Sequence, residues 1–176
     1  MSEPASVRRV AVIGAGTIGA SWTAYLLSRG LDVTAWDPRP DAEAFVRHFI
    51  AEAWPALTRL GLSAGADRGR VAFAKDTAAA VAGADFVQES GPEREDLKIE
   101  LFRELDGAVA PEIVIASSSS GLLMSRIQDA CKHPGRCVIG HPFNPPHLIP
   151  LVEVVGGHKT SPEAIARAMA FYAQVG

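Results

Sequence analysis

Cysteine and long apolar runs are scarce in this sequence. Its 176 residues include only two cysteines, Cys131 and Cys137, which are too few for a disulfide framework, so we expect a reduced, cytoplasmic setting. Hydrophobic residues make up 48% of the chain, but no apolar run approaches the ~20 residues that span a bilayer, and we expect no membrane partner. This length predicts one domain with a substantial core.

An excess of charge of one sign is also lacking, as is the pattern of a metal site. The formal net charge is −3, with acids and bases interspersed, which argues against nucleic acid as a partner. Cys131, His133, Cys137 and His141 are close together in the chain. Their spacings lack the Cys-x-x-Cys pairs of structural zinc sites, and we therefore predict no metal site.

Glycine, in contrast, occurs in an ordered pattern near the N-terminus. A short apolar strand leads into a Gly-x-Gly-x-x-Gly turn, and an apolar helical run follows. Such a turn needs glycine for the tight bend, for the approach of the backbone to a pyrophosphate, and for close packing of helix on strand. The N-terminus of the helix offers free N–H groups to phosphates. The predicted cofactor contacts in this turn are Gly14, Gly16, Thr17, Ile18 and Gly19.

A carboxylate ends the second predicted strand. Asp37 lies 23 positions after Gly14, close to the spacing of about 20 that is typical of dinucleotide-binding units. A carboxylate there can accept hydrogen bonds from the adenosine ribose and repels a 2′-phosphate, so Asp37 favours NAD over NADP. Arg39 lies nearby and weakens this preference. The plain alternative is an ordinary βαβ turn without a cofactor.

Strands and helices alternate along the rest of the chain. The pattern predicts strands at residues 10–13, 33–37, 71–74, 84–88, 113–116, 137–140 and 151–155, and helices at 17–29, 77–81, 92–105, 122–131 and from 161 to 172. A helical arm begins near Asp41, and Pro55 is expected to divide it into two pieces. This order predicts an α/β fold of the Rossmann type, a doubly wound, mostly parallel sheet with the arm between strands 2 and 3.

Three side chains near the ends of predicted strands could perform chemistry on an alcohol. His141 follows the sixth strand, and histidine suits proton removal because its unperturbed pKa lies near neutral pH. Glu153, twelve residues later on the next strand, could orient that imidazole. Ser120 could donate a hydrogen bond to the substrate oxygen or to the nicotinamide amide of the cofactor. Alternatively, His141 is only a histidine in a proline-rich loop. The other histidines, His48, His133, His147 and His158, are predicted to lie on the surface or in packing positions.

Several of these segments together resemble the NAD-binding domain of the 3-hydroxyacyl-CoA dehydrogenase family. The resemblance rests on the glycine turn, Glu89 to Lys98, Ser117 to Gly121, and the run from His141-Pro142-Phe143-Asn144-Pro145 through Val155. It implies His141 as the catalytic base, Glu153 as its partner and Ser120 as a substrate contact. It also implies that Glu93, Lys98 and Asn144 contact the nicotinamide side of the cofactor. The family usually has Ser-Asn-Thr-Ser-Ser where this chain has 117–121, so at Ser118 an amide contact is lost or replaced.

The helical arm departs from the family members that use CoA. Their arm is rich in lysine, and a serine and a lysine on it touch the CoA, whereas the matching positions here are Ala53 and Leu60. No lysine precedes Lys75, and a phosphate-bearing handle would lose charge-assisted bonds. We therefore expect a smaller substrate without CoA, and the resemblance implies a 3-hydroxy acid such as L-carnitine or L-gulonate. The alternatives are an L-3-hydroxyacyl-CoA substrate of fatty-acid metabolism and a crystallin-like, NAD-binding role without turnover.

The resemblance also bears on domain organisation. The family continues with a mostly helical domain that supplies a substrate-binding asparagine and most of the dimer contact. We therefore expect residues 1–176 to be the NAD-binding domain, with the C-terminal helical domain absent from this chain and a homodimer formed through it. The isolated chain is then expected to be inert.

Overall fold

The computed structural model describes residues 6–176, and within them seven strands form one sheet. The strands are β1 (Arg9–Ile13), β2 (Asp32–Trp36), β3 (Val71–Phe73), β4 (Phe86–Glu89), β5 (Ile115–Ser117), β6 (Cys137–Pro142) and β7 (Val152–Gly156). They lie in the order β3-β2-β1-β4-β5-β6-β7, and all neighbours are parallel except β6 and β7. This confirms the predicted Rossmann-type, mostly parallel sheet.

The order of the strands reverses beside β1, which lies between β2 and β4. Ile13 at the end of β1 is the register partner of Trp36 on β2 and of Glu89 on β4. The residues that follow these three strands therefore meet at one edge of the sheet. In doubly wound sheets this switch point is where ligands bind.

Helices cover both faces of the sheet. They are α1 (Thr17–Ser28), α2 (Ala42–Leu60), α3 (Thr77–Val81), α4 (Glu95–Ala108), α5 (Met124–Ile127) and α6 (Pro162–Val175). On one face, Trp22 and Leu26 of α1 pack with Val46 of α2 and Phe171 of α6. The other face buries residues of α3, α4 and α5. Because β1 and β4 are buried on both faces, residues 10–13 of β1 and 86–87 of β4 are apolar without alternation, as is typical of parallel strands. Gln88 and Glu89 at the end of β4 are buried polar residues.

The helical arm differs from its prediction, because α2 runs without a break through Pro55. Pro55 is exposed, while Ile50, Ala53 and Leu57 on the opposite side of the helix are buried. An interior proline costs about 3 kcal/mol, and burying an apolar stripe on both sides of it offsets that loss. Asp41 occupies the N-cap position as expected but makes no side-chain cap bond.

Three other boundaries also differ. Helix α4 begins at Glu95 rather than at Pro92, because the Glu93 side chain binds the turn that follows β5. The predicted helix at 122–131 is shorter, with α5 followed by a 3₁₀ turn at Gln128–Ala130. Strand β6 extends through Pro142, so His141 is a strand residue and not a loop residue.

The connection between β6 and β7 contains no helix. Residues 143–151 link the two strands directly, and a parallel pair would need a crossover of a dozen or more residues. Consequently β7 is antiparallel to β6 and lies at the sheet edge. Within residues 6–176, no helix combines the length and the apolar character needed to cross a membrane.

Candidate active site

The glycine turn lies at the carboxyl end of β1, as the sequence predicts. Gly14 has a φ of 91°, and a Cβ there would lie 2.6 Å from the backbone nitrogen of Gly91, so neither its conformation nor its surroundings admit a side chain. A Cβ on Gly19 would overlap the carbonyl oxygen of Gly14. A Cβ on Gly16 would meet nothing within 4 Å, so open space beside the start of α1 is left for a ligand.

Asp37 supports the turn as well as ending β2. Its Oδ2 accepts a hydrogen bond of 2.8 Å from the backbone N–H of Ala15. Its Oδ1 accepts from the backbone N–H and the Nε of Arg39, at 2.9 and 3.0 Å. The Arg39 guanidinium also donates to the carbonyl oxygen of Ala15 and lies over the ring of Phe45. Arg39 therefore neutralises the carboxylate that would hold a ribose.

His141 and Glu153 are brought together by the antiparallel pairing of β6 and β7. They are register partners, and the His141 Nδ1 lies 3.0 Å from the Glu153 Oε2. An ionised carboxylate only accepts, so Nδ1 carries the proton in this contact, and Nε2 of the neutral ring remains free to take one. A carboxylate in this position can also stabilise an imidazolium, should the ring take up a proton.

The turn after β5 is organised by one carboxylate oxygen. Glu93 Oε1 accepts hydrogen bonds from the Ser119 hydroxyl at 2.6 Å, from the Gly121 N–H at 3.0 Å and from the Ser120 N–H at 3.1 Å. Partial burial by itself raises the pKa of Glu93, but these bonds and the charge of Lys98 outweigh it and lower the pKa below its ordinary value. Glu93 thus stays ionised and holds Ser120 in position.

Lys98 is buried and forms an ion pair. Its Nζ lies 2.7 and 2.9 Å from the two carboxylate oxygens of Glu89, which is 0% exposed and also accepts from the Ser117 hydroxyl. The Glu93 Oε2 is farther away, at 3.9 Å. A buried charge needs a partner of this kind, and the positive charge of Lys98 is therefore largely balanced by the Glu89 carboxylate.

These elements surround one cavity of about 260 Å³ at the carboxyl edge of the sheet. Six of the side chains predicted for catalysis or cofactor binding line it, and they come from four separate segments of the chain. They are Ile18, Glu93, Lys98, Ser120, His141 and Asn144. Glu153 reaches it through His141, and Asp37 lies beside the glycine turn.

A comparison with protein families agrees with this arrangement. Residues 9–176 match the family model described as "3-hydroxyacyl-CoA dehydrogenase, NAD binding domain". The chain belongs to the 3-hydroxyacyl-CoA dehydrogenase family. NAD is the cofactor that this family's domain binds.

Individual members of this family are similar over almost the whole chain. An L-carnitine dehydrogenase of Streptomyces coelicolor is 54% identical over 176 residues, which cover 100% of this chain and 55% of that protein. A 5-formyl-3-hydroxy-2-methylpyridine 4-carboxylic acid 5-dehydrogenase, an NAD+-dependent dismutase, has a structure with TM-score 0.88 and 36% identity, covering 97% of this chain and 55% of the other. The structure of 3-hydroxybutyryl-CoA dehydrogenase of Escherichia coli has TM-score 0.87 and 31% identity, covering 97% of this chain and 37% of the other. The chain thus spans about half the length of the curated relatives it matches.

Some residues of the site were not singled out by the sequence. Glu89 was expected near the end of a strand and within the family resemblance but was given no role, although a carboxylate ending an apolar strand signals a buried charge that needs a cation. No role was predicted for Gln88 or Ser90. Their contacts join residues far apart in the chain, which no local pattern reveals.

The two cysteines come closer than their spacing suggested. Their sulfur atoms lie 3.8 Å apart, and both are free thiols. Within the described part of the chain, no group of three or more histidine, cysteine, aspartate or glutamate side chains is arranged to hold a metal ion.

Proposed function

We propose that the protein to which this domain belongs uses NAD to oxidise a secondary 3-hydroxyl group to a ketone. The observation that carries the proposal is the His141–Glu153 pair, 3.0 Å apart, on the wall of a cavity that also contains Ser120 and adjoins the start of α1. A histidine oriented by a carboxylate is the arrangement that general base catalysis needs.

The residues of the glycine turn fit the cofactor. The open space at Gly16 would receive the pyrophosphate, which the first N–H groups of α1 would bind. Asp37 would hold the adenosine ribose, and Ile18, Glu93, Lys98 and Asn144 would surround the nicotinamide. When bound, NAD supplies the acceptor for the hydride that leaves the carbinol carbon.

The protein side chains manage the proton of the alcohol. His141 would accept it at Nε2 while Glu153 holds Nδ1–H and balances the positive charge that develops on the ring. Ser120, held by Glu93, would donate a hydrogen bond to the substrate oxygen and fix the carbinol beside His141. The proton would leave later through solvent, since Glu153 is exposed.

We propose L-carnitine, or another small 3-hydroxy acid such as L-gulonate, as the substrate. One support is sequence similarity, since about half of the aligned residues are identical in L-carnitine dehydrogenases. The other is the surface of α2, where Ala53 is buried and Leu60 is exposed. Neither side chain could bond a CoA phosphate or amide. An L-3-hydroxyacyl-CoA remains the alternative substrate, because structures of that specificity are also similar.

The relatives are nearly twice as long as this chain, and we propose that residues 1–176 act together with a C-terminal helical domain of the family. That domain would complete the substrate pocket and form a homodimer. The free thiols at Cys131 and Cys137 fit a reducing compartment, so a cytoplasmic location belongs to the same proposal.

Turnover assays on the full-length protein test the activity. NADH formation is expected with L-carnitine or L-gulonate and little with 3-hydroxybutyryl-CoA, and His141→Ala should abolish it while NAD affinity stays unchanged. Asp129→Asn, which alters an exposed ion pair with Lys159, is the matched control. NAD binding without turnover on any of these compounds would exclude the dehydrogenase and favour a crystallin-like binding role.

A further inference from the structure

A chain of hydrogen bonds runs from α6 through the sheet to the cavity. The Tyr172 hydroxyl donates to the Gln88 Oε1 at 2.7 Å. The Gln88 Nε2 donates to the Ser118 hydroxyl at 2.8 Å, and the hydroxyls of Ser118 and Ser90 lie 2.8 Å apart. Gln88 is 1% exposed, whereas both serines line the 260 Å³ cavity. These hydrogen bonds therefore connect the buried phenol of Tyr172 to the wall of the candidate active site.

The direction of this chain is determined at two points. The carbonyl oxygen of Gly140 can only accept, and it lies 3.2 Å from the amide nitrogen of Gln88, so the amide orientation is settled. Burial raises the pKa of Tyr172 far above its ordinary value, so the phenol keeps its proton and donates it to the Gln88 Oε1. The Ser118 hydroxyl oxygen consequently accepts a hydrogen bond from the Gln88 amide.

Counting protons shows what the two serines offer. Ser90 and Ser118 carry two hydroxyl protons, and one of them lies in the bond between the two oxygens. Because Gln88 donates to Ser118, the second proton has no acceptor among the hydrogen bonds of the described residues. Whichever serine holds it, that proton is available to an acceptor atom in the cavity.

The charges around the cavity limit what that acceptor can be. The Lys98 ammonium is paired with Glu89 at 2.7 Å, while Glu93, also on the wall, is an ionised carboxylate with a lowered pKa. An anionic ligand group would meet the Glu93 charge without a free cation to offset it. An uncharged oxygen meets no such repulsion.

We propose that Ser90 and Ser118 form a hydrogen-bond donor subsite for an uncharged carbonyl or amide oxygen, with Gln88 and Tyr172 as the residues that position it. The subsite deepens the proposed function and rests on it, since that function places the reacting groups in this cavity. Suitable oxygens are those of the nicotinamide carboxamide and of the ketone product. Gln88 thereby replaces indirectly the amide that the family usually has at the position of Ser118.

A binding experiment distinguishes the carboxamide oxygen from the ketone oxygen without requiring turnover. It compares the affinities of the 176-residue chain for NAD and for thionicotinamide adenine dinucleotide. Sulfur is a weaker acceptor than oxygen, so a subsite for the carboxamide makes the wild-type chain prefer NAD by about three- to tenfold, the worth of one hydrogen bond. The double variant Ser90→Ala/Ser118→Ala should remove this preference, because it leaves no hydroxyl proton in the subsite and so deletes the same contact as the ligand change. Ser63→Ala, outside the cavity, should keep it.

If the subsite binds the ketone oxygen instead, the serine variants do not change the relative affinities for NAD and its thionicotinamide analogue. In the full-length protein the KM for the ketone then rises about three- to tenfold in the reductive direction, with unchanged NADH affinity. Serine variants that alter neither quantity would overturn the subsite. NAD binding by the chain also stands apart from the proposed oxidation, which the turnover assays test separately.

Gln88→Met tests the positioning role. It removes the amide that directs the serine pair, so the selectivity between NAD and its thio analogue, or the ketone KM, should change in the same sense as in the double serine variant. A purely structural role would lower the melting temperature and leave both measures unaltered. That result would remove Gln88 and Tyr172 from the proposal.

Discussion

His141 and Glu153 face each other across β6 and β7 as register partners, with 3.0 Å between Nδ1 and Oε2. The alignment of the two strands brings these side chains together without any contribution from a loop. Sheet pairing is rigid compared with loop structure, so the imidazole is held in one orientation before a substrate arrives.

Replacing Glu153 by glutamine should therefore slow catalysis without weakening cofactor binding. The glutamine amide can still accept from the His141 Nδ1–H, but it cannot balance the charge of the imidazolium. We expect kcat in the full-length protein to fall by about 10²-fold, the lower end of general base effects. Steady-state kinetics with NAD titration measures this. A lower NAD affinity at unchanged kcat would contradict it, and Glu163→Gln on α6 serves as the control.

The two glycines at the start of α1 should respond differently to alanine. In Gly16→Ala the new methyl group meets no protein atom within 4 Å, so the melting temperature should stay within about 2 °C while NAD affinity falls at least tenfold through the loss of close backbone approach. In Gly19→Ala the methyl group overlaps the Gly14 carbonyl, so stability falls as well. Calorimetric melting and binding titration distinguish the two. Full NAD affinity in Gly16→Ala would refute the placement of the pyrophosphate.

We predict that Asp37 and Arg39 together set the choice of dinucleotide. In Asp37→Asn the carboxylate that repels a 2′-phosphate is lost, and the Arg39 guanidinium, 3.0 Å away, is released to pair with that phosphate. We expect NAD to bind about tenfold more weakly and NADP more tightly than in the wild type. Asp41→Asn changes an exposed carboxylate 4.0 Å from Arg39 and should alter neither affinity. An unchanged ratio of the two affinities in Asp37→Asn would show that ribose is held elsewhere.

His147 predicts a dependence of stability on pH. Its backbone N–H and its Nδ1 both contact the Ser21 hydroxyl on α1, at 3.1 and 2.7 Å, and its ring packs against Phe49 of α2. Burial lowers the pKa of His147, so the unfolded chain binds a proton first as the pH falls. Stability is therefore complete above the unfolded-state pKa of about 6.5 and is lost as the pH falls from there through the lower folded-state value.

Urea unfolding at a series of pH values measures this loss. In His147→Asn the contribution should disappear, while His158→Gln, at an exposed position, should retain it. Equal pH dependence in the wild type and in His147→Asn would show that another group is responsible. His147 was predicted to lie on the surface or in a packing position, and its contact with Ser21, 126 residues away, could not be read from the sequence.

Local sequence patterns were sufficient to place the glycine turn and Asp37 in the fold. The β1–α1–β2 unit consists of segments that are neighbours in the chain, and the backbone of the turn needs glycine at these positions. Local patterns failed at Pro55, where tertiary packing of α2 offsets the proline. They also ended the sixth strand at residue 140, just before His141, because nothing local shows that β6 continues to pair with β7 through Pro142. The serines at 117–120 were recognised as the end of a strand, but the oxygen of Glu93 that organises their turn comes from a separate segment.

The amino-acid sequence by itself determined the family, the α/β class and the chemistry available to the site, since strand hydrophobicity, glycine spacing and residue types are properties of the chain alone. Only the tertiary structure decided which groups meet: Glu153 with His141, Glu89 with Lys98, and Gln88 with Ser118. The physical reason is that a buried charge or amide must be paired within the fold, and its partner is chosen by which strands lie side by side.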